Sequence, residues 1–354
     1  NTRLRIKAGL SGDYYDLYQY SVYAQTYGSI FISQWDAYPH SGSCYLQGSY
    51  RFPGGVITTA GLRTDMFNAN TSIYDSETGE SDQIETKWHI SPRMGFSVPF
   101  SENSILFSTY GHHFQMPSMN CLFLETSYSL SQNRIVAGNP DLDPEMTQSF
   151  EVGVRHYLDR LTELSLAAYY KDITGLVNTE DHSEGTYYVF SNDDSHGMVR
   201  GIEATLNRRA GSNISGQISY SLAVAKGRYS SMLERYNDAQ MGVLYISNED
   251  NYLDWDQAHS LYASVTLNLF NGLNLSMIGK LSTGYPYSPQ FLFSNYDAEN
   301  NSDRKPTYKN VDLRASYRFT ISDITYQVFL KIYNLIDTLN ERYVFDDTGR
   351  ATYT

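Results

Sequence analysis

Two adjacent histidines are the first residues in this chain whose chemistry could serve a ligand. His112 and His113 begin the sequence His-His-Phe-Gln-Met-Pro, at the point where a regular pattern gives way to a long irregular stretch. Neighbouring residues of a strand point to opposite faces, so the two imidazoles are not expected to share a metal ion. Packing at the strand end is the favoured interpretation. The alternative is contact of a ligand with His112, His113, Phe114 and Gln115.

A second group of candidates is aromatic. Trp255 stands between Asp254 and Asp256, while Tyr285 and Tyr287 lie in the sequence Thr-Gly-Tyr-Pro-Tyr-Ser-Pro. Tryptophan and tyrosine at the end of a membrane strand serve as interfacial anchors, and the same rings can stack on a ligand. We favour the anchor role for Trp255. For the two tyrosines, loop rigidity from the neighbouring prolines is favoured over a place in a binding mouth.

Patterns for catalysis or for a bound metal are missing from the sequence. The stretches 192–196 and 346–349 are rich in oxygen ligands, but neither has the full spacing of a calcium loop. Gly-x-Ser-x-Gly, His-Glu-x-x-His, a phosphate loop and Cys-x-x-Cys do not occur. We therefore predict a protein that is not an enzyme, with no catalytic residue, no metal and no cofactor.

Composition narrows the class of protein. Charged residues make up 18% of the 354 residues, which is low against the roughly 25% of soluble domains. The formal net charge of −13 argues against nucleic acid as a partner. Hydrophobic residues reach 41%, yet no apolar run approaches the ~18 residues that a spanning helix needs. Cys44 and Cys121 are too few for a disulfide framework, and we interpret them as isolated small core residues rather than as a bridge.

The elements that would position the candidate residues are segments of alternating polarity. Between 260 and 269, one face of a strand would carry Leu261, Ala263, Val265, Leu267 and Leu269. Six hairpins with short turns can be marked in this way: 43–51 with 55–66, 87–98 with 104–112, 147–157 with 163–172, 200–209 with 214–225, 260–269 with 273–281, and 308–319 with 324–334. With a strand at the amino terminus, the chain has about thirteen or fourteen strands.

The connections between these hairpins are long and polar. They cover 67–86, 113–146, 173–199, 226–256 and 285–307, and all five leave from the same end of the strands. Such loops are uncommon in a compact soluble domain, and strands of this length suit a tilted membrane strand better than a globular one. We predict an all-β fold, an antiparallel transmembrane β-barrel with short periplasmic turns and long extracellular loops. The whole chain, 1–354, is predicted to be part of one such domain.

The same alternation predicts a polar inner wall. Apolar residues of 311–319 would face lipid, whereas the residues between them would face a wet lumen. An ion-pair lattice is expected on this wall. Its predicted members are Arg155, Glu203, Arg314, Arg318 and Lys331, and the same lumen wall is predicted to carry Glu151 and Asp312.

One segment carries a resemblance to a known family. Gly138-Asn139-Pro140-Asp141-Leu142-Asp143-Pro144-Glu145, followed by Phe150-Glu151-Val152-Gly153, resembles the loop-to-strand motif of TonB-dependent outer-membrane receptors. Similar segments follow in the same order: Tyr170-Lys171-Asp172-Ile173, Gly201-Ile202-Glu203, 254–259, Asn310-Val311-Asp312-Leu313 and Tyr333-Asn334-Leu335-Ile336-Asp337. The resemblance extends from about residue 43 to 350 and implies the carboxy-terminal part of a barrel of about 22 strands. We expect both ends of the chain to be cut from a longer polypeptide that contains the plug and the first strands.

The resemblance also implies a function. A family member would bind a scarce nutrient (siderophore–iron, a cobalamin, a glycan or a peptide) at its extracellular loops and import it with energy from TonB. Expected partners are lipid of the Gram-negative outer membrane, TonB through the missing amino-terminal region, the ligand itself, and in some systems a lipoprotein lid. Two alternatives remain open from the residues alone: a passive porin or fatty-acid channel, and a soluble all-β binding module.

Overall fold

The protein is described by a computed structural model that covers residues 3–24, 30–74, 81–124, 127–129, 134–182, 187–211, 213–240, 250–269, 272–289 and 300–353. Its strands are β1 Leu4–Tyr14, β2 Leu17–Ala24, β3 Ile30–Ala37, β4 His40–Arg51, β5 Ile57–Asn68, β6 Ser72–Tyr74, β7 Ser81–Gln83, β8 Lys87–Ser101, β9 Ser104–Gln115, β10 Ser127–Ser129, β11 Arg134–Ala137, β12 Glu145–Tyr157, β13 Thr162–Thr174, β14 Asn178–Asp181, β15 Tyr187–Ser191, β16 His196–Arg208, β17 Ile214–Arg228, β18 Asn251–Tyr252, β19 His259–Asn268, β20 Leu273–Ser282, β21 Pro286–Tyr287, β22 Asp303–Arg304, β23 Tyr308–Ile321, β24 Ile324–Ile332, β25 Glu341–Val344 and β26 Ala351–Tyr353. Two short helices, α1 Met119–Phe123 and α2 Glu234–Gln240, complete the elements of the described residues.

The long strands form one antiparallel sheet. Their order is β1-β4-β5-β8-β9-β12-β13-β16-β17-β19-β20-β23-β24, and the two-residue strand β18 adds to β17 to give fourteen strands. The thirteen long strands contain 9 to 15 residues, which suffices to cross a bilayer at a tilt. All six predicted hairpins are present. The predicted all-β antiparallel architecture and its strand number are thus confirmed.

Short turns close the hairpins at one end of the sheet. In the turn before β13, the Asp159 carboxylate accepts hydrogen bonds from the N–H groups of Leu161 at 2.7 Å and Thr162 at 2.8 Å. These bonds, together with hydrogen bonds from the Thr162 hydroxyl and the Arg208 guanidinium, lower the pKa of Asp159 to about 2, because they stabilise the charged carboxylate. Between β23 and β24, Ser322 and Asp323 both have positive φ, the conformation of the tightest hairpin turns.

Long connections leave the opposite end of the sheet. Tyr14 at the end of β1 pairs with His40 at the start of β4, so the segment 15–39, with its β2–β3 ribbon, lies at the same end as the five predicted long loops. The segment 333–353, which contains the β25–β26 ribbon, also leaves from this end.

The two faces of the sheet differ in polarity. One face exposes large apolar side chains, including Leu10 at 86%, Leu46 at 60% and Val328 at 60% exposure. A soluble protein rarely exposes an apolar surface of this extent. The opposite face carries pairs of hydroxyl groups on neighbouring strands, such as Thr266 with Ser276 at 3.0 Å. Within the described residues, no helix is long and apolar enough to cross a membrane.

Candidate functional site

The polar face of the sheet brings the predicted wall residues together. The strand register places all seven on the face with the hydroxyl pairs: Glu151 lies opposite Thr109, Glu203 opposite Ser221, and Arg314 between Ser276 and Lys331. Their role as a lumen wall stays a prediction, since a bound plug or ligand is needed to test it.

Ion pairs on this wall are fewer than expected. Arg155 lies 3.0 Å from Glu163, and it is the one member of the predicted set with an opposite charge within 4 Å in the described part of the chain. Arg314 and Lys331 instead lie over the ring of Phe329, each with its cationic centre 5.7 Å from the ring centroid.

Asp312 has a structural partner. Its carboxylate accepts a hydrogen bond from the N–H of Asn334 at 2.9 Å, just after β24. This contact fixes the exit of the chain from the last long strand.

The two adjacent histidines lie on opposite faces of β9, as expected for neighbouring strand residues. His112 hydrogen-bonds with Tyr110 and contacts its ring edge to face at 5.3 Å. His113 lies over Gly111 on the other face, on the side of Arg93. Phe114 contacts the ring of His89 at 5.1 Å. The described contacts of His112 and Phe114 are therefore with other aromatic side chains.

The aromatic candidates are separated from the histidines by four strands in the sheet order. Between them lie β12, β13, β16 and β17. The two groups of predicted mouth residues therefore belong to different sectors of the long-loop end, and a small ligand would contact one group rather than both.

A buried ion pair organises the sector around Trp255. Asp256 is fully buried, accepts the N–H of Ala225 at 2.5 Å, and forms a salt bridge with Arg304. The guanidinium of Arg304 lies 4.9 Å from the ring centroid of Tyr252. Trp255 itself is 41% exposed. The aspartate beside the tryptophan thus holds the loop after β18 against β22.

Tyr287 is a structural residue of the same sector. It is 9% exposed and donates its hydroxyl hydrogen bond to Asp303 at 3.0 Å. Burial, together with Asp303 and Asp346, raises the pKa of Tyr287 above its usual value, because each of them disfavours the phenolate. The pKa of Asp346 is also raised, mainly by burial.

Tyr285 contributes to a cavity of about 440 Å³ where β19, β20 and β23 reach the long-loop end. Register pairs Tyr262 with Lys280 and Ser282 with Tyr308 on the polar face of the sheet. The remaining wall comes from Gln257, Ser260, Leu261, Leu281, Thr283, Gly284 and Glu341. Its volume lies within the ~300–1,000 Å³ that is typical of ligand pockets. Sequence reasoning identified Tyr285 but missed the rest of this cavity.

Four of the long loops fold together into one body, which we call the loop cap. Strand β11 pairs in parallel with β15 and so joins two separate loops in a four-stranded sheet, β10-β11-β15-β14. Helix α2 contacts β14, where the N–H of Tyr236 donates to the hydroxyl of Thr179 at 3.1 Å. The apolar core of the cap consists of Phe67, Ala69, Cys121, Leu122, Val136, Leu142, Val177, Tyr188 and Phe190.

The segment 138–145 ties the loop cap to the sheet. The side-chain amide of Asn139 donates to the carbonyl of Phe190 at 3.0 Å. Asp141 and Asp143 both lie near the ammonium of Lys87 at the start of β8, at 2.7 Å and 3.1 Å. These contacts connect the segment to β15 and to β8.

Metal ligands do not cluster in the part of the chain that the structure describes. No group of three or more His, Cys, Asp or Glu side chains is arranged to hold a metal ion among those residues. Both cysteines are free thiols: Cys44 is exposed, and Cys121 is buried in the loop cap. Burial raises the pKa of the Cys121 thiol and so disfavours the thiolate that a metal would bind.

Comparison with known proteins gives a consistent picture. A family model described as "TonB dependent receptor-like, beta-barrel" matches residues 1–335. The vitamin B12 transporter BtuB of Vibrio vulnificus (strain YJ016) is 26% identical over 140 residues, which is 40% of this chain and 21% of that protein.

Two solved structures illustrate the likeness of fold. The outer membrane transporter YddB from Escherichia coli matches with a TM-score of 0.66 at 12% identity, covering 100% of this chain and 50% of that one. The siderophore receptor PiuA from Acinetobacter baumannii matches with a TM-score of 0.65 at 15% identity, covering 99% and 52%. This chain therefore spans about half the length of the solved structures that it matches.

Proposed function

Because this chain belongs to the TonB-dependent receptor-like β-barrel family, we propose that its protein is a receptor that binds a scarce nutrient at the long-loop end and imports it with energy supplied through TonB. Proteins of this family are β-barrels of the Gram-negative outer membrane, and the antiparallel sheet of this chain is a partial barrel of that kind. A soluble binding module is therefore set aside.

The observation that supports the proposal most is the difference between the two faces of the sheet. One face exposes large apolar side chains and suits hydrocarbon, whereas the other carries hydroxyl pairs and charged groups and suits a hydrated interior. The loop cap and the cavity lie at the end where a ligand would arrive from outside.

In the proposed assembly, residues 1–354 form part of a barrel of about 22 strands. In the described residues, β1 pairs only with β4 and β24 only with β23, and in this proposal both strands pair with further strands of the barrel. The proposed partners are outer-membrane lipid along the apolar face, a plug against the polar wall, and TonB through a region outside this chain. A surface lipoprotein lid is compatible with the long-loop end.

The nutrient classes under this proposal are siderophore–iron, a cobalamin, a glycan and a peptide. Relatives named above transport vitamin B12 or receive siderophores. No bond of the nutrient is made or broken in the proposed mechanism, because the barrel supplies binding and a polar path while TonB supplies energy.

The test uses the native strain and its full-length protein. Uptake of labelled cobalamin, ferric siderophore, oligosaccharide and oligopeptide is compared in the parent, a strain without this protein and a strain without TonB. We expect uptake of one class to disappear in both mutants. Uptake that needs this protein but persists without TonB would instead identify a passive channel.

A further inference from the structure

We infer that the β2–β3 ribbon binds the sugar headgroups of lipopolysaccharide, the glycolipid of the outer leaflet of the Gram-negative outer membrane. The contact surface is the outer face of the ribbon, which consists of Tyr18, Tyr20, Val22, Gln34 and Asp36. This inference goes beyond the proposed function, because it concerns the surroundings of the receptor and not its nutrient.

The ribbon continues the first hairpin of the sheet without a change of register. Tyr14 at the end of β1 pairs with His40, and Leu17 at the start of β2 pairs with Ala37, so three residues separate the two pairs on each strand. Side chains alternate between the two sides of a strand. The even-numbered residues of β2 therefore stay on the side where β1 exposes Leu10, which is the apolar face of the sheet.

The inner face of the ribbon packs against the loop cap. Trp35 is 6% exposed, and its ring centroid lies 5.7 Å from that of Phe123 at the end of α1. Ala37 is also 6% exposed, and β3 contacts both α1 and β10 of the cap. These contacts bury the odd-numbered residues of β3, so the outer face is the side of the ribbon that points away from the cap.

The outer face forms a contiguous patch of large side chains. Tyr18 is 65%, Tyr20 52% and Val22 51% exposed. Single exposed apolar residues are common in any protein, but a patch that continues the apolar face of the sheet is typical of an interaction surface.

The position of this patch selects its partner. A strand of ~9–11 residues crosses the hydrocarbon core at a tilt of ~45°, and β1 has 11 residues. At a rise of ~3.3 Å per residue, Tyr18 lies about 13 Å and Val22 about 26 Å beyond Tyr14 along the strand. With the same tilt, the patch extends from roughly 9 to 19 Å above the end of β1. This is the layer of the headgroup sugars, outside the hydrocarbon.

The side chains of the outer face suit a sugar. Tyr18 pairs with Asp36, and Tyr20 pairs with Gln34, so each exposed ring has a hydrogen-bonding group directly opposite, with Cβ atoms about 4.5–5.5 Å apart. An amphipathic tyrosine ring can cover the C–H face of a sugar. A carboxylate or amide oxygen beside it accepts hydrogen bonds from the sugar hydroxyls.

Phosphate groups of the glycolipid are not the target. The even-numbered residues from 4 to 22 and from 34 to 50 include no lysine and no arginine, whereas Asp16 and Asp36 are acidic. A protein partner is the main competitor, because tyrosines are also enriched at protein interfaces. The apolar centre of such an interface would, however, meet a patch interrupted by Asp36 and Gln34. We therefore commit to the sugar units and make a protein partner an outcome of the test.

The test measures binding to the full-length receptor purified in detergent. The probe is the core oligosaccharide of the native strain's lipopolysaccharide, released from lipid A by mild acid, and lipid A alone is the comparison probe. Calorimetric titration gives the affinity, and saturation-transfer NMR identifies the sugar protons in contact. The variant is Tyr18→Thr with Tyr20→Thr, since threonine keeps a high strand propensity. Its matched control is Tyr45→Thr, a 39% exposed tyrosine on the opposite, polar face of the same hairpin.

We expect the core oligosaccharide to bind the parent receptor. Its affinity should fall about tenfold or more in the double variant, the effect of losing two ring contacts, and should stay within about twofold in Tyr45→Thr. Absence of binding to the parent, equal affinity in the double variant, or binding of lipid A without any binding of the oligosaccharide would each overturn the inference.

A second measurement in intact cells distinguishes the glycolipid from a protein. The photoreactive residue p-benzoylphenylalanine replaces Tyr20, and illumination should give an adduct that carries lipopolysaccharide sugars. This result does not depend on the folding of the threonine variants. A protein adduct in its place, or no adduct, would overturn the inference. Uptake that is independent of TonB would refute the proposed function and leave this contact unaffected.

Discussion

Placing an arginine at the centre of the apolar face of β16 is expected to weaken barrel assembly by an amount set by its depth in the bilayer. Ile202 is the middle residue of the 13-residue strand His196–Arg208, and its side chain is 55% exposed on that face. Its register neighbours are Ala168 and Leu222. Neither offers a polar group to an arginine side chain at this position.

The expected loss of folding free energy depends on the depth of residue 202 in the bilayer. Arginine on the lipid face costs about 2–4 kcal/mol at the bilayer midplane and about 0–1 kcal/mol near the interfaces. At about 1.4 kcal/mol per factor of ten, Ile202→Arg should lower the folding equilibrium constant roughly 30- to 1,000-fold. Leu206, on the same face and two residues before the end of β16, should tolerate arginine with a loss of less than about tenfold.

The assay is urea-dependent folding of the full-length protein into lipid vesicles, followed by the gel-mobility difference between folded and unfolded barrel. Glu203→Arg is the control for the opposite face, because this residue lies between Ala167 and Ser221 on the polar wall. Equal losses for Ile202→Arg and Glu203→Arg, or a greater loss at Leu206 than at Ile202, would refute the assignment of the apolar face to lipid.

Three further outcomes are expected from the long loops and the turns. Arg304→Met should destabilise the loop sector by about 3–5 kcal/mol, because it leaves the fully buried Asp256 without its cation. Limited proteolysis within 283–307 should become faster, and an unchanged rate of cleavage would contradict a stabilising role of this ion pair. Leu122→Ala should lower the stability of the loop cap by about 2–5 kcal/mol, since this side chain is only 1% exposed. The rate of amide hydrogen exchange in β14 and β15 should rise, while that of the long strands stays constant. Asp159 has a lowered pKa of about 2, so its contribution is present above its usual value near 3.8 and is lost as the pH falls towards 2. Asp159→Asn should remove this part of the acid dependence of exchange in the turn, and retention of the full dependence would show that another group is responsible.

The long strands could be predicted because their information is local. In β19, for example, the alternation of Leu261, Ala263 and Val265 with polar residues already fixes which side chains share a face. Hairpin turns then set the register of neighbouring strands, as the predicted hairpin from 147–157 to 163–172 and the observed pair β12–β13 illustrate.

The loop cap could not be predicted in the same way. Leu122 and Tyr188 lie in different loops and meet only through the parallel pairing of β11 with β15. No local periodicity of polar and apolar residues predicts a contact between residues so far apart in the chain. The short apolar runs Cys-Leu-Phe-Leu at 121–124 and Tyr-Tyr-Val-Phe at 187–190 were the available signal, since four consecutive apolar residues are unusual in a solvated loop.

The cavity was missed for a related reason. Tyr285 was a candidate from its prolines and neighbours, but Glu341 lies beyond the last predicted strand, in a stretch where the sequence predicts no further strand. Its place in the wall depends on the return of the segment 333–353 over the end of β23, which Asp312 and Asn334 help to fix. Cys44 shows the opposite error, because the sequence favoured a small core residue and the structure exposes it on the apolar face of β4.

The shared apolar core of the loop cap also determines how the long loops can move relative to one another. Loops that do not contact one another can each move inward independently around a ligand. In the loop cap, the parallel pairing of β11 with β15 and the contact of α2 with β14 connect three of the loops, and the shared core adds the fourth through Phe67 and Ala69. Movement of one of these loops would therefore disrupt contacts of its neighbours. Under the proposed function, ligand entry past these loops is therefore expected to require movement of the loop cap as one body.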